Sequence, residues 1–154
     1  MSLTHSTFVV KRRYPVNASR VFSAFADPEL KRRWFAESSG HQLENYRLDF
    51  QVGGEEKFAY RLPEGTPVAG MLLVNEGRCL DIVSEQRIVT AERMCVEGRP
   101  ISVSLTTFEI NADADETELV ITFQGVFFDG ADGAQMRQAG WQKLAENLAE
   151  LLAE

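Results

Sequence analysis

The chain is poor in the residues that staple, ligate or stiffen a fold: among 154 residues there are two cysteines, two histidines and five prolines. Cys79 and Cys95 have neither the spacing nor the neighbouring histidines of a zinc site or a redox pair, and so few thiols suit a reducing, cytoplasmic compartment. His5 and His41 stand far apart with no partner at ligand spacing, so no metal is expected, and no other cofactor. Serines are plentiful, yet none stands in G-x-S-x-G. Gly53-Gly54 is not G-x-G-x-x-G and precedes a strand pattern, which removes the dinucleotide reading. No apolar run approaches the roughly 18 residues of a membrane span. The opening MSLTHSTFVVKRRYP does not read as a secretory leader. Positive charge is also in deficit: 16 Lys and Arg against 23 Asp and Glu leave a formal charge of −7. Nucleic acid and anionic membranes are therefore repelled on average, and the local cluster Lys11-Arg12-Arg13 does not reverse this.

What is present is a globular composition, 44% hydrophobic. A chain of this length fits one domain, able to bury roughly two thirds of its unfolded surface without disulfide or metal. Residues 7–14 are β-branched and aromatic and read as a strand closed by Pro15. Asn17 or Ser19 then caps a short helix, ASRVFSAFA, with Val21, Phe22 and Phe25 on one face. Asp27-Pro28 starts a second, DPELKRRWF, as N-cap and first helical residue. From Asn45 the period becomes two: Tyr46, Leu48, Phe50 and Val52 alternate with polar residues over 45–52. Gly53-Gly54 turns the chain into GEEKFAYRL, where Phe58, Tyr60 and Leu62 share a face. Further strands are predicted near 68–74, 78–83, 87–95, 101–111 and 117–128, joined by short loops as an antiparallel meander. Over 134–153, Trp141, Leu144, Ala145, Leu148, Leu151 and Leu152 recur at helical spacing, one long amphipathic helix. The class is α+β, with the long helix covering one sheet face.

Several stretches together resemble a known family: YPVNASRVFSAFADPELKRRWF, DFQVGG, DIVSEQRIV, SVSLTTFEI, TELVITF and FFDGADGAQMRQAGW. Their order is similar to that in the prokaryotic relatives of the activator of the heat-shock protein 90 ATPase, within the SRPBCC or START-like superfamily. The resemblance implies one such domain over residues 4–154. It implies a helix-grip fold, a curved antiparallel sheet of about six or seven strands wrapped around a long C-terminal helix, with two short helices after the first strand and a cavity between. Its relatives include ligand carriers, aromatases or cyclases, and co-chaperones, so it leaves chemistry open. Ser84 stands where a proline is common in the family.

Pairing strands across VEGRP with Cys95 opposite Ile101 sets Met94 against Ser102, Glu92 against Ser104 and Thr90 against Thr106. Phe108 and Ile110 continue that face and mark it as the inner one. Glu92 is then a carboxyl group inside the cavity, with hydroxyls as partners, and a candidate acceptor or general acid/base. Trp34, Tyr60, Met94 and Phe127 are the expected apolar lining beside Ser102, Ser104 and Thr106. A one-residue slip would instead turn Glu92 to solvent. Asp81, within CLDIV, reads as an outward strand residue, with a shared-proton role beside Glu92 as the alternative. Cys95 faces away from the cavity, and both thiols read as structural. His41 follows the second helix and reads as a solvated loop residue. Trp141 reads as a core filler, and KRR at 31–33 as the solvated face of its helix.

The leading function is binding of a small hydrophobic molecule between sheet and helix. The alternatives are a cofactor-free cyclase, dehydratase or hydrolase using Glu92, and regulation of a chaperone by surface contact. Exposed edge strands leave a homodimer open. DGADG, before the long helix, lacks the alternate oxygen ligands of a calcium loop. Asp132 with Gln135 has capping-box spacing, so the segment reads as the hinge into that helix.

Overall fold

The computed structural model describes residues 2–37 and 42–154. Strand β1 (Thr4–Tyr14) leads into α1 (Ala18–Ala26) and α2 (Pro28–Lys31), and α2 widens into a π-helical turn, Arg32–Glu37. Six strands follow: β2 (Gln42–Leu48), β3 (Glu55–Arg61), β4 (Leu72–Val83), β5 (Arg87–Val96), β6 (Arg99–Asp113) and β7 (Glu116–Phe127). The chain ends in α3 (Ala134–Leu152). The strands form one antiparallel sheet in the order β1-β7-β6-β5-β4-β3-β2. Consecutive strands pair except β1, whose place beside β7 puts the first and last strands together. Helix α3 lies against the concave side, the helix-grip arrangement.

Local chemistry explains the helix starts. Asn17 Oδ1 accepts from Arg20 N–H at 2.9 Å, so Asn17, not Ser19, caps α1. Asp27 accepts from Glu29 N–H at 2.9 Å, with Pro28 as the first helical residue, where its missing N–H is harmless. Helix α3 departs from expectation. Its N-cap is Gly133, without a side-chain capping bond, because the Asp132 carboxylate bonds Arg137 and is not free for the helix amides.

Two strand boundaries also differ. Residues 72–74 and 78–83, expected in separate strands, belong to the single strand β4, while 62–71, including the expected strand start at 68–71, is irregular. Gly77 looks like turn punctuation but stands mid-strand. A Cβ there would fall 2.1 Å from the Ala91 carbonyl oxygen, so only glycine lets β4 come this close to β5. In 45–52 the alternation outlasts the strand: β2 ends at Leu48, Phe50 packs edge-on against Phe22 at 5.6 Å, and Val52 is 62% exposed. A β-bulge between Met94 and Cys95 places Cys95 opposite Pro100, not Ile101, while Met94–Ser102, Glu92–Ser104 and Thr90–Thr106 pair as expected.

The main core joins α3 residues Ala145, Leu148, Leu151 and Leu152 to Phe8, Val10 and Tyr14 of β1, to Val21 and Phe25 of α1, and to Ile121 and Phe123 of β7. Trp34 is 1% exposed, edge-on to Phe25 at 5.1 Å, and its indole N–H donates to the Ala24 carbonyl at 2.8 Å. Tyr14 O–H donates to the Ala145 carbonyl at 2.8 Å, a buried bond tying the edge strand to α3. Tyr14→Phe keeps the ring and deletes this bond; urea denaturation is expected to show a loss of about 1 kcal/mol with an unchanged m-value.

Candidate functional site

The register of the sheet maps its inner face into bands that cross the strands. At the end nearest α1 lies an apolar band of Ile82, Ile88, Phe108, Ile121 and Val10. Beyond the Cys79, Thr90, Thr106 and Phe123 band comes one that runs Leu48, Glu56, Gly77, Glu92, Ser104 and Gly125. The next runs Tyr46, Phe58, Asn75, Met94, Ser102 and Phe127. Polar groups are thus concentrated in the middle of a concave, otherwise apolar wall.

Glu92 stands at the centre. Its carboxyl accepts from Ser104 Oγ at 3.0 Å and Thr106 Oγ1 at 3.2 Å, and from Thr90 Oγ1 in a short bond. Burial pushes the Glu92 carboxyl above the ordinary glutamate range; the three hydroxyl bonds oppose that rise without cancelling it, and nearby Glu56 adds to it. Glu92 is nevertheless half-buried by area, unlike Thr90, Ser104 and Thr106, which are closed off.

Glu56 lies on the same band, with only Gly77 between it and Glu92, a separation of two strand spacings, about 10 Å. Glu56 accepts from Tyr46 O–H at 2.6 Å and pairs with Lys31 Nζ at 2.8 Å. Lys31 is 5% exposed, with Nζ 4.4 Å from the centroid of Phe35 and 5.5 Å from that of Phe25. The expectation of KRR as a solvated face is thus corrected. Arg32 and Arg33 are at the surface, paired with Glu37 and Glu154, but the change to π-helical winding begins directly after Lys31, whose side chain points into the protein. Tyr46 and Cys79 both have acidities weakened chiefly by burial, so Cys79 is held as a thiol in this cluster.

At the start of α3, Arg137 forms a second polar centre. It is 9% exposed, lies over the rings of Phe127 and Phe123 at 5.2 and 5.6 Å, and bonds Asp132 through Nε and Nη2, both at 2.8 Å. Ser102 Oγ lies 3.1 Å from Nη2. Tyr60, stacked on Phe58 at 5.5 Å, feels both charges: its phenol is pushed up to about 12 by burial, with Arg137 opposing and Asp132 adding.

Of the residues expected to line a cavity, Tyr60, Glu92 and Met94 keep accessible surface. Ser104 and Thr106 lie behind Glu92 as its donors, whereas Ser102 and Phe127 lie behind Arg137. Trp34 is a core residue, reaching the exterior only at the floor of a concavity of about 240 Å³ with Arg33, Glu37, Asn147 and Glu154. A second concavity, of about 570 Å³, lies by Arg61, Leu62 and Gly70, away from Glu92. Trp141 is half-buried between Phe35 and Phe108, at 5.9 and 5.6 Å, on the α3 side of the main core. Asp81 pairs with Arg87 at 2.5 Å on the outer face, and His41 lies outside the described residues. Among the described residues, no three His, Cys, Asp or Glu side chains could hold a metal ion, and no helix is long and apolar enough to cross a membrane.

The family model described as Activator of Hsp90 ATPase homolog 1-like protein matches residues 15–153. The chain belongs to that family. Among solved structures, the Mll3558 protein from Rhizobium loti is 41% identical with a TM-score of 0.85, over 98% of this chain and 99% of that one. An uncharacterised protein from Rhizobium leguminosarum is 35% identical with a TM-score of 0.90, over 99% and 97%. Protein CV1439 from Chromobacterium violaceum, 24% identical with a TM-score of 0.76 over 96% and 97%, supports the fold alone. No curated protein matches.

In this member of the Activator of Hsp90 ATPase homolog 1-like family, the residues missed from sequence are Lys31, Glu56 and Arg137. Each is charged, and a charged residue in an amphipathic pattern reads as surface. Glu56 had a signal: in GEEKFAYRL it shares parity with Phe58 and Tyr60.

Removing one partner of the Lys31–Glu56 pair strands a buried charge. Lys31→Met is expected to lower unfolding free energy by about 3 kcal/mol, and Lys31→Met with Glu56→Gln to recover much of it, as measured by chemical denaturation. Glu92 predicts a pH dependence. The folded state holds its proton more tightly than the unfolded chain does, so this contribution is complete below the ordinary glutamate range and is lost as pH rises through the elevated value. Glu92→Gln, compared with wild type by urea denaturation from acid to neutral pH, should become relatively more stable with rising pH. A difference independent of pH would show that Glu92 titrates normally.

Proposed function

We propose that the protein binds a small, largely apolar molecule between the concave face of the sheet and α3, close to Glu92. The observation that carries this is the polar band itself: a buried carboxyl held by three hydroxyls and set in an apolar wall beside Gly77. A wall meant only to be packed over has little use for a carboxyl at its centre, because burial of that group is unfavourable unless every lone pair is satisfied. Ligand sites have this composition, apolar lining with a few converging polar groups. Tyr60, Met94 and Trp141 supply half-buried surface around it. No cofactor enters the proposal.

An enzymatic role is a second reading, favoured by the Glu92 carboxyl holding its proton above the ordinary glutamate range, which suits a proton donor or acceptor in a cyclase, dehydratase or hydrolase reaction. Regulation of a heat-shock protein 90 ATPase draws support from the family's description only.

The neutral solvatochromic dye Nile red is expected to bind saturably at about one molecule per folded chain, with a change in Trp141 fluorescence. Met94→Trp, which fills the inner wall, is expected to weaken binding by roughly tenfold while circular dichroism shows the fold retained. A folded protein with no saturable uptake of the dye would remove the proposal.

A further inference from the structure

Arg137 carries more than packing requires. A guanidinium has five N–H donors. In Arg137 the Nε donor and one Nη2 donor go to Asp132, and Ser102 Oγ takes the other Nη2 donor. Among the described residues nothing accepts from Nη1, although the residue is 9% exposed. Two donors without a protein acceptor, on a side chain only 10% exposed, are rare in native proteins and point to a place for a bound acceptor.

The surroundings favour an anion. Arg137 lies in the first turn of α3, where the positive end of the helix dipole disfavours a cation unless an anion accompanies it. Gly133 supplies no side chain to cap that end, so the electrostatics call for negative charge from elsewhere. Asp132 now provides it from a segment between Gly130 and Gly133, both at positive φ, +83° and +87°. Ser102 and the Phe123 and Phe127 rings hold the guanidinium from the sheet side, so Arg137 stays in place if Asp132 moves away. Ser102 is two residues from Ser104, about 7 Å along β6, so the guanidinium lies within one small molecule's reach of Glu92. The negative charge of Glu56 is matched by Lys31 and does not oppose an anion there.

We propose that Arg137 anchors the carboxylate of an amphipathic acid, which takes the place of Asp132 while its apolar body lies along Tyr60, Met94 and Trp141. The proposal rests on the cavity reading and names the ligand's chemical class. Asp132 is then the internal occupant of the site, and the glycine-flanked segment is the gate that it swings on.

The test uses the full chain, with Nile red displaced by octanoate, octanol and octylamine, three compounds with the same apolar body. Octanoate is expected to compete at least about tenfold better than the other two. Arg137→Gln should abolish that preference, and Arg137→Lys, which keeps charge and loses the fork, should retain part of it. Asp132→Asn should raise octanoate affinity several-fold and leave octanol unchanged, a gain that no merely structural role of the pair produces. Circular dichroism establishes that each variant is folded. Equal competition by the three compounds, or an octanoate preference that persists in Arg137→Gln, overturns the anchor and leaves the cavity reading standing. Absence of dye uptake strikes the cavity reading instead. Octanoate labelled with ¹³C at the carboxyl reads the anchor without the dye: no change in its resonance on adding wild type or Asp132→Asn overturns the proposal whatever the dye does.

Discussion

Everything on the concave face depends on one constraint: a charge placed between sheet and helix must find partners there, because water cannot supply them. Glu92 meets it with hydroxyls from its own strand and from β6, Glu56 with Lys31 and Tyr46, and Arg137 with Asp132 and Ser102. These three sets bind different elements together. Lys31 fastens the α2 end to β3, and Arg137 fastens α3 to β6, so the polar groups define where the helices sit as much as the apolar core does. Each set is also a place where a single substitution leaves a buried group unmatched.

The backbone is shaped to admit these groups. Gly77 brings β4 close to β5 and projects nothing between Glu56 and Glu92. Gly125 leaves room for the Phe123 ring, which would lie 2.7 Å from any Cβ there and is part of the shelf beneath Arg137. The bulge after Met94 re-aims the end of β5 without disturbing the Glu92–Ser104 register. At the edge of the sheet, β1 exposes Lys11, Arg12 and Arg13, charges that discourage pairing with another chain.

Much of this was legible in one dimension. Period-two alternation located β2 and β3, and assuming a pairing across VEGRP gave Glu92 with Ser104 and Thr90 with Thr106, the register the sheet adopts although the turn is tighter and a bulge follows Met94. The DGADG segment was rightly seen as the entry to the long helix but wrongly as its cap, since Asp132 had a better partner in Arg137 than in the α3 amides. Strand β4 was split at a gap that contains Gly77, and glycine in a sequence fits either a turn or a close backbone approach, which only the neighbouring strand distinguishes.

By itself, the sequence determined the class of fold and the order of its elements, because these follow from local periodicity, whereas the direction of Glu92 hung on a register that only the paired strands decided. Tertiary structure alone decided that Lys31, Glu56 and Arg137 are interior, and that Trp34 is buried in the core while Trp141 keeps part of its surface. The physical reason is the range of the interactions. Lys31 meets Glu56 across 25 positions and Arg137 meets Ser102 across 35, and a charged residue is buried or solvated according to whether a distant partner arrives to match it.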